Sequence, residues 1–135
     1  MSNPLETELT NLRQNIKNAG SSERPDLSSV YKEMYQDFKK FKDDSAKKRL
    51  AQVVEDGLKD KKMIEPNSVI TDMQIPKAGD EILLTVKDQN TRQQHSVLYD
   101  SHGKEMLAPI IIVGETTGGN SDTVVVKIHH GNDRR

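Results

Sequence analysis

The residue types able to do chemistry fall in four places. Lys39, Lys40, Lys42, Lys47, Lys48 and Arg49 form a basic cluster broken by Phe41, Asp43, Asp44, Ser45 and Ala46. Six basic residues against two acidic ones between 39 and 49 is the clearest local charge excess in the chain. Such a cluster can lie along phosphates and give salt-dependent, sequence-independent binding. A solvated helix face is the commoner meaning of a charge run. The strand-forming region from 67 to 130 has eight acidic and five basic residues, so a nucleic-acid footprint would be confined to the helices.

The other three places point away from catalysis. His129 and His130, with Asp133 nearby, are of metal-ligating types. Adjacent residues of a strand face opposite ways, so the two imidazoles are badly placed to share one ion, and no metal site is assigned. Gly114-Glu115-Thr116-Thr117-Gly118-Gly119-Asn120-Ser121 has the glycines and hydroxyls of a phosphate cradle. It opens into a strand rather than a helix and lacks the Lys-Ser/Thr of a nucleotide loop, so it reads as a hairpin loop. Asp100, Ser101 and His102 carry the residue types of a hydrolase triad. Three consecutive residues cannot converge as nucleophile, base and orienter, so they read as a turn. No catalytic residue and no cofactor follow from these patterns.

Composition sets the frame that must position these groups. The chain has 135 residues, 33% of them apolar and 30% charged. The apolar share lies below the ~45–50%, glycine included, that is usual for globular domains, so the core must be economical. The 20 basic and 21 acidic residues nearly cancel, which removes any whole-chain argument for nucleic acid or an anionic membrane. Without cysteine, disulfides and thiolate chemistry are excluded. No signal-peptide pattern opens the chain, and no apolar run approaches the ~18 residues needed to span a bilayer. A cytoplasmic protein without membrane contact is the expectation.

Residues 3–18 predict an amphipathic helix. Asn3 can cap it, Pro4 suits its first position, and Leu5, Leu9, Leu12 and Ile16 form a narrow stripe. That stripe either docks on the rest of the domain or makes a short coiled-coil contact with a second copy or a partner. A second helix starts at Asp26 or Ser28 and carries Val30, Tyr31, Met34, Tyr35, Phe38 and Phe41. It holds four of the five aromatic residues of the chain. Its expected role is a clamp on a sheet, with a partner-binding face as the alternative. From Ala46 the stripe continues through Leu50, Val53, Val54 and Leu58, but roughly 140° further around the axis. A break capped by Asp44 or Ser45 is the simpler explanation.

Past Pro66 the period changes from helical to two. Val69, Thr71, Met73 and Ile75 alternate with Ile70, Asp72 and Gln74. Ile82, Leu84 and Val86 alternate with Leu83, Thr85 and Lys87. Residues 96–99 form a short third strand. The runs 108–113 and 123–128 are rich in β-branched residues and read as a hairpin of fourth and fifth strands. The fold class is therefore α+β: two or three N-terminal helices followed by a five-stranded antiparallel β-meander, flat and twisted or partly closed as a small barrel. The organisation is a helical region 1–65 and a β region 66–130, packed as one domain, with a mobile tail 131–135. The main core is expected in 66–135, with the first helix dispensable.

Ile110, Ile111, Ile112 and Val113 are apolar on both faces, and the helices can cover only one. Barrel closure or a second subunit would hide the other. The leading function is a non-enzymatic protein–protein interaction module, an adaptor, inhibitor or regulatory subunit. Homodimerisation is the favoured mode, with Leu5, Leu9, Leu12, Ile16, Ile111 and Val113 as contact residues. The alternative is a nucleic-acid-binding protein using Lys39, Lys40, Lys42, Lys47, Lys48 and Arg49. A third, weaker possibility is an enzyme whose site assembles from residues scattered along the chain.

Overall fold

The computed structural model describes residues 3–19, 26–106 and 123–128. In chain order it contains α1 (Pro4–Asn18), α2 (Ser28–Lys40), α3 (Asp44–Asp60), β1 (Ser68–Pro76), β2 (Glu81–Asp88), β3 (Gln94–Asp100), β4 (Glu105–Met106) and β5 (Thr123–Lys127). The α+β architecture read from the sequence is the one observed. Among the described residues the five strands form a single antiparallel sheet that is not closed into a barrel.

Local chemistry explains where the helices begin. Asn3 accepts the Leu5 amide at 3.0 Å, and Pro4 occupies the first turn, where its missing donor costs nothing. Asp26 receives both the amide and the hydroxyl of Ser28 ahead of α2. The break between α2 and α3 falls where the stripes change phase, but the cap is Asp43 and not the expected Asp44 or Ser45. Its carboxylate accepts from the Ala46 amide and the Ser45 hydroxyl. Two separate helices can then each bury their own stripe. Val30, Tyr31, Met34, Tyr35 and Phe38 are buried on α2; Leu50, Val53, Val54 and Leu58 are buried on α3.

The stripe of α1 is docked. Leu9, Leu12 and Ile16 are buried and Leu5 is half-buried in the same cluster as the sheet residues. The expectation that α1 is dispensable for folding meets a physical objection here. A narrow stripe is enough because α3 presents Gly57 to it. A Cβ at that position would lie 2.9 Å from Ile16 Cδ1 and 3.2 Å from Ile16 Cβ, so the two backbones approach closely only because none is there. The side-chain pairs Glu8–Lys40 and Asn15–Glu33 show α1 running antiparallel to α2. Arg49 on Glu6, with Gly57 against Ile16, shows it running parallel to α3.

The sheet order is β4-β3-β2-β1-β5. Strands β1 to β4 follow one another as a meander. Along one edge β5 pairs with β1: Met73 faces Val126 and Ile75 faces Val124. The chain thus returns to lie beside its first strand, as in a Greek key. The run 108–113, with Ile111 and Val113, lies outside the described residues.

Strand β1 also departs from simple alternation. Its register with β2 shifts between Ile70 and Asp72, a bulge at Thr71. The buried residues are therefore Ser68, Ile70, Met73 and Ile75, not the uninterrupted series Val69, Thr71, Met73, Ile75. One extra residue moves the side-chain phase by one, which is what a bulge does. Ile82, Leu84 and Val86 of β2, Val97 and Tyr99 of β3, and Val126 with Ile128 complete the inner face. α2 lies across β1, β2 and β5, and α3 reaches β1. Two tyrosines tie the layers by polar contacts: Tyr31 donates to the Asp100 carbonyl at 3.0 Å and Tyr99 to the Met63 carbonyl at 2.5 Å.

Candidate functional site

Three regions hold side chains that the fold does not fully absorb. The first is the outer face of the sheet. Register places Met106, Leu98, Leu83, Gln74 and Val125 in one row across all five strands. Met106, Leu98, Leu83 and Gln74 are half-buried, and Val125 is 51% exposed, the only large apolar residue so exposed among the described residues. The adjacent row is polar: Ser96, Thr85, Asp72 and Lys127. Within it the Thr85 and Ser96 hydroxyls bond at 2.9 Å, and Lys127 approaches Asp72 at 3.7 Å. The sheet thus presents a mostly apolar row, interrupted by Gln74 on β1, beside a polar border.

The second region is the basic cluster, and the structure splits it. Lys39, Lys40 and Lys42 lie at the end of α2 and just beyond it; Lys47, Lys48 and Arg49 lie in the first turns of α3. Arg49 pairs with Glu6 at 2.5 Å and Lys40 approaches Glu8 at 3.9 Å, so two of the six charges are met by α1. Lys39 leans over the Tyr35 ring at 5.3 Å and donates to its hydroxyl. Lys47 is half-buried, while Lys42 and Lys48 are exposed. Lys48 and Arg49 also line a groove together with Ala51, Ile70 and Ile128. Glu55 lines that groove too; its buried carboxylate accepts the Ile70 amide at 3.2 Å and pairs with Lys59 at 3.1 Å.

The third region escaped the sequence reading. Glu8 of α1 and Glu33 and Asp37 of α2 bring carboxylate oxygens within 4.8 Å of one another. Asp37 is 3% exposed; among the described residues its buried Oδ2 has no donor, and the Glu8 carboxyl is its hydrogen-bonding neighbour. Desolvation first, then the neighbouring Glu8 and Glu33 carboxylates, push the Asp37 carboxyl up to about 8. Lys40 pulls weakly the other way. Glu33 is also raised, by desolvation, although Asn15 donates to it. A signal was present in the sequence. Asp37 stands seven residues after Val30, three after Met34 and four before Phe41, inside the apolar stripe of α2. Glu33 precedes it by one turn, an i,i+4 pair of like charge that weakens a helix.

The positions expected to make partner contacts are distributed unevenly. Leu9, Leu12 and Ile16 face the protein's own core, and Leu5 packs at its edge. Ile111 and Val113 lie outside the described residues. So do His129, His130, Asp133 and the loop 114–121. The turn at Asp100 is accounted for by its own hydrogen bonds. Although partial desolvation opposes it, the amides of Lys104 and His102 hold the Asp100 carboxyl below its usual range. Gly103 takes the left-handed conformation at φ 75° that closes the turn. Among the described residues, no helix is long and apolar enough to cross a membrane.

No family model, no curated protein and no solved structure matches this chain.

Proposed function

We propose that this protein is a non-enzymatic protein–protein interaction module, an adaptor, inhibitor or regulatory subunit, whose contact surface is the outer face of its sheet. One observation carries the reading: the cross-sheet row Met106–Leu98–Leu83–Gln74–Val125, which ends in an exposed valine and is bordered by a polar row. The helices occupy the other face, so nothing else in α1 to α3 is available to cover this one. Apolar strips with polar borders are what contact surfaces consist of. A second copy of the chain is the proposed first occupant, because a two-fold pairing needs only this one patch.

Light scattering over a concentration series tests it. Wild type should gain mass with concentration, and Val125→Asp should remain monomeric while melting as wild type does. A strict monomer at every concentration would remove the homodimer.

A second reading rests on Lys42 and Lys48, which are exposed, and on the Lys48–Arg49 border of the groove. It makes the protein a binder of nucleic acid through charge. The ion pairs to Glu6 and Glu8 weaken that field and place it second. Under the leading reading wild type passes through a polyanion column even at low salt. Retention that falls steeply with salt, and is lost in Lys42→Glu/Lys48→Glu, would establish the second reading instead.

A further inference from the structure

We propose that Glu8, Glu33 and Asp37 form a binding site for a hard divalent cation of the Mg2+ or Ca2+ type at the interface of α1 and α2. Two independent observations meet there. The first is geometric. One carboxylate oxygen from each residue lies within 4.8 Å of the other two. Oxygens sharing a cation at about 2.0–2.6 Å are themselves separated by at most about 5 Å, so one ion can reach all three. The second is the state of Asp37. It is 3% exposed and lies within α2; among the described residues its Oδ2 has no donor, and the carboxyl's hydrogen-bonding neighbour is another acid, Glu8. A buried carboxylate oxygen without a donor is costly, and a chain retains one where something else satisfies it.

The surroundings favour a cation. Among the described residues, the ammonium facing these three carboxylates is that of Lys40, which is 3.9 Å from Glu8 and 56% exposed. Asn15 on α1 donates to Glu33 and so holds one ligand in place from the outer shell. The donor set is all oxygen, without histidine or cysteine, which selects hard ions over zinc or copper. Three side-chain ligands leave positions for water, as Mg2+ commonly keeps. Because Glu8 comes from α1 and the others from α2, a bound ion would cross-link the two helices. The site is separate from the sheet face, so the proposal does not depend on the contact role given to that face.

Calorimetric titration of the full-length chain with MgCl2 and CaCl2, above pH 8 in metal-free buffer, reads this directly. One saturable site is expected for at least one of the two ions. Affinity should fall at least about tenfold in both Asp37→Asn and Glu33→Gln, and be unchanged in Asp60→Asn, an exposed acid at the far end of α3. The ion should also raise the melting temperature of wild type and leave that of Asp37→Asn unmoved. Asp37→Asn removes a buried charge and keeps the side chain's shape, and Glu33→Gln provides a second readout. Heats that persist unchanged in both variants would mean diffuse surface binding and overturn the proposal. So would a protein that takes up neither ion and is stabilised only by acidification, which would show a proton shared between Glu8 and Asp37 in place of the metal.

Discussion

Asp37 is the residue at which sequence and burial disagree most, and the disagreement has a pH signature. Its carboxyl is pushed up to about 8 by desolvation and by Glu8 and Glu33, against an ordinary value of 3.8. The folded chain therefore holds this proton more tightly than the unfolded chain does. The associated stability is complete below about pH 4 and is lost as pH rises through about 8. In chelator, wild type should lose stability across that window, and Asp37→Asn should flatten the slope. At pH 8 the variant should be about 1–3 kcal/mol more stable, since the amide can donate where the carboxylate was unpaired. Urea melts at a series of pH values check both statements. Glu55, also buried, is opposite in kind, because its oxygens accept from the Ile70 amide and from Lys59. Glu55→Ala should cost about 1.5–3 kcal/mol, the range for hydrogen bonds to a charged group.

At the scale of elements, α1 is part of the core. Leu9, Leu12 and Ile16 are each buried, and burying a side chain of that size contributes roughly 1.5–3 kcal/mol. Their sum approaches the whole stability of a small domain, about 5–15 kcal/mol. Deleting residues 1–19 should therefore abolish the cooperative thermal transition; a sharp transition in the shortened chain would show the helix to be peripheral. Gly57→Ala tests the same contact more finely. Alanine is favoured over glycine in a helix by about 1 kcal/mol, but here its methyl group meets buried Ile16. The clash should win, for a net loss of about 1–3 kcal/mol in a denaturant melt. The existence of these elements was legible in the sequence. Asn3–Pro4 announced α1, and the phase change between Phe41 and Ala46 announced the α2–α3 break. The bulge at Thr71 was not legible, because it exists only in the pairing of β1 with β2.

For the whole molecule, one layer of helices covers one face of an open sheet. The β-branched run 123–128 identified a strand but not its neighbour. Strand propensity is local, while pairing with β1 depends on where the chain returns. The outer face was expected to be apolar through Ile111 and Val113, which lie outside the described residues. The strip that the structure does show runs through Leu98, Leu83 and Val125, residues whose common row emerges only from the register. Met106 joins it from the edge strand β4. The basic cluster was visible at once as a composition, but its partners Glu6 and Glu8 lie more than thirty residues earlier and could be assigned only by the packing of α1.

The contact role of the sheet face is tested most directly by a photo-crosslinking residue placed at Val125, with a control at Asn90 in the exposed turn after β2. Irradiation of the purified full-length protein at micromolar concentration should give a discrete dimer from position 125, joined to the outer face of a second sheet, and none from position 90. An absence of adduct at 125, or equal adducts at both positions, would contradict the account.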